Sequence, residues 1–246
     1  MMKPFIEIIG VKKELDNQTV LNGINLSINK GDLLAIIGSS GSGKSVLLKN
    51  IIGLMKPDSG KIIIDGLDVT KLGHKEFSKI LEKFGVLFQS GALFDSMDVY
   101  DNIAFPLRER TKLKEKEIQK QVSRVLEDVE LTGMDDKYPA ELSGGMKRRV
   151  ALARAIILNP DIVFFDEPTT GLDPVLKYSV HSLIKNNYEK HGYTGIIISH
   201  EIPEIFEVAN RVAMLYNGVI IAEGTPQEII NSAIPEVRSF IHCCSV

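Results

Sequence analysis

Tryptophan is absent from this 246-residue chain, aromatic residues make up only 7% of it, and the two cysteines, Cys243 and Cys244, are neighbours near its C-terminal end. Adjacent cysteines cannot cross-link distant segments, which excludes a disulfide framework, and they lack the paired spacing of a zinc site. Long apolar runs are missing too: none approaches the roughly 18–20 residues needed to cross a bilayer. The start, Met1-Met2-Lys3-Pro4-Phe5, lacks the apolar segment of a secretory signal, so the chain is expected in the cytosol. Neither charge dominates. With 29 Lys+Arg against 32 Asp+Glu the net charge is −3, which gives no global electrostatic case for nucleic acid as a partner. Cys243-Cys244-Ser245-Val246 places a cysteine four from the end, as prenylation requires, but its middle residues are not aliphatic. A loose tail is expected there. What remains, 44% hydrophobic and 25% charged residues, is ordinary globular composition.

Short β-rich runs alternate with longer helical ones, the pattern of an α/β fold with a largely parallel sheet. Strands are expected at residues 33–37, 61–64, 85–88, 162–165, 195–199, 212–216 and 219–222. Residues 5–11, 19–21 and 25–28 alternate in a way better suited to a small antiparallel sheet. Between about Gln89 and Asn159 the strand pattern stops. Ile118, Val122, Val125, Leu126 and Val129 recur there at helical spacing on a segment otherwise rich in Lys, Glu, Gln and Arg, which predicts the packed face of a helical insert.

Gly38-Ser39-Ser40-Gly41-Ser42-Gly43-Lys44-Ser45 is a complete G-x-x-x-x-G-K-S loop, preceded by Leu33-Leu34-Ala35-Ile36-Ile37 and followed by the helix-like Val46-Leu47-Leu48-Lys49-Asn50-Ile51-Ile52. Glycines let consecutive backbone N–H groups converge on an anion, and the helix starting there adds its positive dipole end. A nucleoside triphosphate is the expected guest. Lys44 is expected to bridge its β- and γ-phosphates, with the Ser45 hydroxyl on Mg²⁺. A Gly/Ser turn joining strand to helix would not require Lys and Ser to close the run.

Two further segments add chemistry. Asp161-Ile162-Val163-Phe164-Phe165-Asp166-Glu167 is an apolar strand ending in two acids: Asp166 suits Mg²⁺, directly or through water, and Glu167 suits a base that polarises water for attack on the γ-phosphate. Alone, two acids at a strand end are a common solvated terminus; paired with the phosphate loop they point to catalysis. In Leu142-Ser143-Gly144-Gly145-Met146-Lys147-Arg148-Arg149-Val150, Ser143 can cap a helix whose first residues are glycines, leaving N–H donors for a second anion. A capped packing helix is the plainer reading, though Gly in place of Ala costs such a helix roughly 1 kcal/mol per residue.

Taken in order, these segments resemble the nucleotide-binding subunit of the ABC (ATP-binding-cassette) transporter family over nearly the whole length. Gln89 after a strand, Gly171-Leu172-Asp173-Pro174, and His200 within Ile198-Ser199-His200-Glu201 complete the resemblance. It implies an ABC ATPase fold in one domain, 1–246: a P-loop nucleotide-binding core (1–88 and 161–227), a small antiparallel β subdomain, an inserted helical subdomain (89–160) and a tail (228–246). It further implies that two copies meet head to tail around two ATP molecules. Ser143, Gly144 and Gly145 would then reach the partner's γ-phosphate, Gln89 would sense Mg²⁺ and the attacking water, His200 would steady the γ-phosphate and Glu167, and Asp173 would communicate across the dimer.

Two departures stand out. The family usually stacks adenine on an aromatic ahead of the phosphate loop, and alignment through Val20-Leu21 places Leu15 there, so the adenine contact is expected from Leu15 and Val20 or from another platform. Met146 stands where Gln is commonest. With Phe88-Gln89-Ser90-Gly91-Ala92-Leu93-Phe94-Asp95-Ser96 and Asn102-Ile103-Ala104-Phe105-Pro106-Leu107, it resembles the ATPases of Mce-type bacterial lipid transporters. That branch implies a multi-span permease, a periplasmic Mce-domain protein, phospholipid cargo, and a peripheral position on the cytoplasmic face of the inner membrane. Leu93, Phe94, Met97, Val99, Tyr100, Ile103 and Phe105 form an apolar cluster expected to be mostly core, with a minority meeting a permease helix. A short helix is expected around 234–241, anchored on Val237, Phe240 and Ile241. Competing readings are an ABC transporter ATPase for another cargo, an ABC ATPase acting on nucleic acid or ribosomes, and a scaffold that binds ATP without turnover.

Overall fold

A computed structural model describes residues 3–244 of the chain, so Met1, Met2, Ser245 and Val246, with the features expected of them, lie outside the described residues. Two compact units emerge, one made of residues up to Leu81 together with those from Thr194 on, the other of Glu82–Tyr193.

The first unit contains two sheets. One has the order β2-β1-β4-β5, built from β1 (Ile6–Leu15), β2 (Gln18–Ile28), β4 (Ser59–Ile64) and the short β5 (Leu67–Asp68). All of its pairings are antiparallel. Residues 61–64, expected among the strands of the main sheet, therefore belong here: Ile62 and Ile64 are buried against β1, while Lys61 and Ile63 alternate outward. Residues 19–21 and 25–28 form one strand rather than two. Gly23 adopts φ 82° inside β2, and the register shifts between β1 and β2 absorb it as irregularity without ending the strand.

In the second sheet of this unit, β3 (Leu33–Ile37) lies between β8 (Thr194–Ser199) and β9 (Arg211–Tyr216), parallel to both, and β10 (Val219–Gly224) pairs antiparallel with β9. Every residue of β3 is fully buried, which explains its unbroken apolar run. Helix α1 (Lys44–Ile51) leaves directly from the loop after β3, and α2 (His74–Leu81), α7 (Ile205–Val208), α8 (Pro226–Ile230) and α9 (Pro235–Cys244) complete the unit. The expected C-terminal helix is thus present and longer than predicted, with Val237 fully buried and Phe240 and Ile241 half-buried. Where a loose tail was expected, Cys243 lies exposed on that helix.

In the second unit, β6 (Phe84–Leu87) runs parallel to β7 (Ile162–Asp166). The four longer helices of this unit are α3 (Val99–Arg110), α4 (Glu115–Asp128), α5 (Gly144–Ile156) and α6 (Pro174–His191). No strand interrupts 89–159 among the described residues, as the periodicity predicts. The α4 stripe of Ile118, Val122, Val125 and Leu126, continued by Val129, is buried. Arg149 of α5 ties the bundle together, donating to the Val129 carbonyl at 3.0 Å and to Ser179 Oγ on α6 at 2.6 Å.

Candidate functional site

In the first unit, β3 pairs Ile37 with Ser199 of β8. Parallel pairing places the next residues, Gly38 and His200, at the same sheet edge, so the loop and the exposed His200 follow from adjacent strand ends. Gly38 adopts φ 152°, and a Cβ there would lie 2.3 Å from the Leu215 carbonyl oxygen, so no other residue permits this approach of loop to β9. Gly43 is the N-cap of α1 and makes no side-chain cap, leaving the first-turn N–H groups to whatever anion occupies the loop. Lys44 is 4% exposed, and its Nζ donates to the carbonyls of Gly38 and Ser39 at 2.8 and 2.9 Å, which folds the cation into the loop.

Beside the loop is an open hollow lined by Gln18, Thr19, Val20, Ser39–Ser42 and the turn Asn217-Gly218. The Asn22 N–H of β2 donates to the Gly218 carbonyl at 2.8 Å, which ties that strand to the turn forming the opposite wall. Ser42 Oγ is buried there with no hydrogen-bond partner. An orphaned hydroxyl among loop N–H groups and a lysine suits a phosphorylated guest. Val20 lines this hollow, whereas Leu15 is not among its lining residues; it pairs with Gln18 at the end of β1. Gln18, Thr19 and Asn217 were missed in the sequence because nothing local in the polar start of a strand or in a hairpin turn marks it as a wall of a site.

In the second unit, β6 and β7 pair Leu87 with Phe165, so Gln89 and the acids Asp166 and Glu167 emerge at one edge. Four fully buried residues, Ile162 to Phe165, anchor the strand, and both acids are half-buried at its end. Glu167 Oε2 accepts from Gln89 Nε2 at 3.1 Å and from Thr170 Oγ1 at 3.1 Å. Its φ of 47° is left-handed, a conformation unfavourable for a non-glycine residue and frequent at functional positions. Residues 78 apart in sequence are thereby brought into contact. Thr170 was missed because a threonine three residues beyond an acid has no distinguishing pattern.

Ser143 caps α5, its Oγ accepting from the Met146 N–H at 3.3 Å. Ser143 and Gly144 are exposed and Gly145 is buried. The glycine pair also has a packing role: a Cβ on Gly145 would lie 3.0 Å from Leu176 Cδ2, and one on Gly144 3.3 Å from Leu172 Cδ2. Asp173 caps α6, accepting from the Val175 and Leu176 N–H groups, both at 3.0 Å. Among the described residues no cluster of three or more His, Cys, Asp or Glu could hold a metal. The Ser45 hydroxyl and the Asp166 carboxylate are each hard oxygen donors of the kind Mg²⁺ takes together with water and phosphate oxygens.

The ABC transporter family profile matches residues 21–170. The chain belongs to the ABC transporter family. A similar relative is the intermembrane phospholipid transport system ATP-binding protein MlaF of Haemophilus influenzae, 41% identical over 98% of this chain and 91% of its own length. A probable ribonucleotide transport ATP-binding protein, mkl, of Mycobacterium bovis is 42% identical over 96% of this chain and 66% of its own. Among solved structures, an ATP-binding cassette captured as a dimer after hydrolysis, bound to ADP and Pi, superposes with a TM-score of 0.81 at 31% identity, covering 90% of this chain and 98% of that one. The fold is accordingly that of an ABC ATPase, and the chain is an ATP-binding ATPase subunit of that family.

In this ABC ATPase the apolar cluster after Gln89 is less buried than expected. Only Val99 and Ile103 are fully buried, Phe94 is 41% exposed, and the others are partly covered. Phe94 and Phe105, with ring centroids 5.0 Å apart, line a groove with Phe88, Pro106, Arg154 and Leu158. The Arg154 guanidinium lies 5.5 Å from the Phe94 ring and donates to the Gly91 carbonyl at 2.8 Å. Of the seven cluster residues only Phe94 and Phe105 line this groove, a minority, while Val99 and Ile103 are core.

Proposed function

We propose that this chain is the ATP-hydrolysing subunit of a bacterial cell-envelope transporter whose cargo is phospholipid. The near full-length similarity to MlaF carries the reading. Residues 1–88 and 161–227 act as the nucleotide-binding core, 89–160 as the helical part and 228–246 as a tail of one domain. Two copies close head to tail on ATP. The loop from Gly38 to Ser45 cradles the phosphates with Lys44 as counter-charge, and Val20 borders the base. Ser45, Gln89 and Asp166 are the residues that would hold Mg²⁺, which would neutralise charge on the phosphates. Glu167, oriented by Gln89 and Thr170, accepts the proton of the attacking water; His200 steadies the γ-phosphate. Ser143 and the Gly144-Gly145 N–H groups meet the γ-phosphate bound to the other copy, and Asp173 lies at that junction.

A multi-span permease docks an amphipathic helix on the Phe94–Phe105 groove, holding the ATPase on the cytoplasmic face of the inner membrane, with an Mce-domain protein completing the assembly. Free energy reaches the permease through the difference in nucleotide affinity between the open and closed dimers. Another cargo is the second reading, favoured by the 42% identity to a protein named for ribonucleotide transport.

Tagging the chain in its native cell, solubilising gently and identifying its companions by mass spectrometry tests both. A permease with an Mce-domain protein is the expected result. A permease without one would remove the phospholipid cargo, and ribosomes or DNA-repair proteins without a membrane partner would overturn transport.

A further inference from the structure

Two neighbouring arginines of α5 have unlike surroundings. Arg149 is accounted for by packing: it donates to the Val129 carbonyl, to Glu130 and to Ser179 on α6. Arg148 is half-buried, and no carboxylate pairs with it among the described residues. Burial alone pulls its guanidinium below the usual arginine range. Covering a cation without a counter-ion is costly, and a methionine would supply a similar apolar stem without that cost. What the guanidinium touches is therefore informative.

Its Nη2 donates to the Thr170 carbonyl at 3.4 Å. Thr170 closes the turn after Glu167: its N–H donates to the Glu167 carbonyl at 3.3 Å and its hydroxyl to Glu167 Oε2 at 3.1 Å. Gln89, which donates to the same oxygen, belongs to a segment that runs past the same guanidinium, for a Cβ on Gly91 would lie 3.7 Å from Arg148 Nη1 and 3.5 Å from Ala151 Cβ. One side chain of α5 thus meets both segments that hold the carboxylate. The left-handed φ of 47° at Glu167 is a conformation that persists only with such support from its surroundings.

We propose that Arg148 is a positioning residue for ATP hydrolysis: by fixing the Thr170 peptide it keeps the Thr170 hydroxyl on Glu167 Oε2, and so keeps the carboxylate aimed at the attacking water. This role presupposes Glu167 as the base. Its effect falls on turnover rather than on nucleotide affinity, because neither Arg148 nor Thr170 belongs to the loop that cradles the phosphates.

A double-mutant cycle on the full chain tests the role, with kcat and KM for ATP measured per folded chain in Arg148→Met, Thr170→Val and the double variant. Each single substitution is expected to lower kcat about fivefold with KM within about twofold, and the double variant to be no slower than Thr170→Val, because the path from Arg148 to Glu167 runs through the Thr170 hydroxyl. Arg148→Gln, whose side chain is too short to reach the Thr170 carbonyl, repeats the cycle should Arg148→Met fold poorly. Effects that multiply in the double variant, an unchanged kcat, or a loss confined to KM would overturn the proposal and leave Arg148 as a packing residue of α5. Glu167→Gln is assayed alongside. Turnover at the parent rate in that variant would remove the base that the role presupposes, a result distinct from multiplying effects in a chain that Glu167→Gln inactivates.

Discussion

Glu167 illustrates how far single residues could be read. Its position at the end of an apolar run, beside Asp166 and downstream of a phosphate loop, was visible in the sequence because it depends on order along the chain. Gln89 and Thr170, both bonded to it, were not equally visible: Gln89 came from resemblance, and Thr170 only from the left-handed turn that folds the chain back onto Oε2. Gln at 167 keeps the shape and a hydrogen-bonding side chain but removes the proton-accepting carboxylate. Loss of a general base typically costs 10²–10⁴ in rate, so Glu167→Gln is expected to lower ATP turnover by about two orders of magnitude or more while leaving ATP affinity nearly intact. Phosphate release and equilibrium nucleotide binding, measured on the same preparation, check this. Turnover at the parent rate would remove Glu167 from the role of base.

Elements were legible where one period dominated. The uninterrupted apolar β3 and the i, i+4 stripe of α4 depend on burial that the sequence shows directly. Sheet membership of 61–64 depends on pairing with β1, and β5 on a two-residue contact; neither leaves a local pattern. The segment from Phe94 to Asn102 shows what else periodicity conceals. Asn102 is fully buried; its Oδ1 accepts from the Phe94 N–H at 2.8 Å, and its Nδ2 donates to the carbonyls of Phe94, Met97 and Asp98 at 3.1, 3.0 and 2.9 Å. One side chain thus ties the loop from Phe94 to Asp98 onto α3, supplementing the backbone bonds from Met97 N–H to Phe94 and from Asn102 N–H to Asp98. Asn102→Leu takes this partner from the Phe94 N–H and the Met97 carbonyl, and is expected to cost about 3 kcal/mol of stability, read as a lower urea midpoint with an unchanged slope. On the same helix, burial and the bond from Tyr100 Oη to Glu115 (2.8 Å) push the Tyr100 phenol from 10.0 up to about 12. Because the folded state holds this proton more tightly, the stabilisation is complete below pH 10 and declines as pH rises towards 12. The phenolate absorbance of the folded protein should show a late step near pH 12 that Tyr100→Phe removes; a difference between the parent and Tyr100→Phe centred near 10 would mean the bond to Glu115 does not hold the proton.

At the scale of the whole molecule, the chemistry of α5 looks outward. Ser143 and Gly144 are exposed at a helix start with no acidic residue in the first turn, so the positive end of that helix is available to an anion. Its own chain's phosphate loop already has Lys44 and the start of α1 for the same purpose. On the proposed reading, two copies use both helix starts, each presenting α5 to the triphosphate held by the other. Dimerisation should then require bound ATP and persist when hydrolysis is blocked. In Mg²⁺ and ATP, Glu167→Gln is expected to sediment at about twice the chain mass of 27.2 kDa, and without nucleotide as a single chain. Adding Ser143→Arg places a bulky guanidinium where the phosphate must enter, and should abolish the nucleotide-dependent dimer while changing single-chain ATP affinity by less than about twofold. An ATP-dependent dimer that survives that substitution would place the contact elsewhere on the surface, and leave the exposed start of α5 as a packing device whose glycines serve only Leu172 and Leu176.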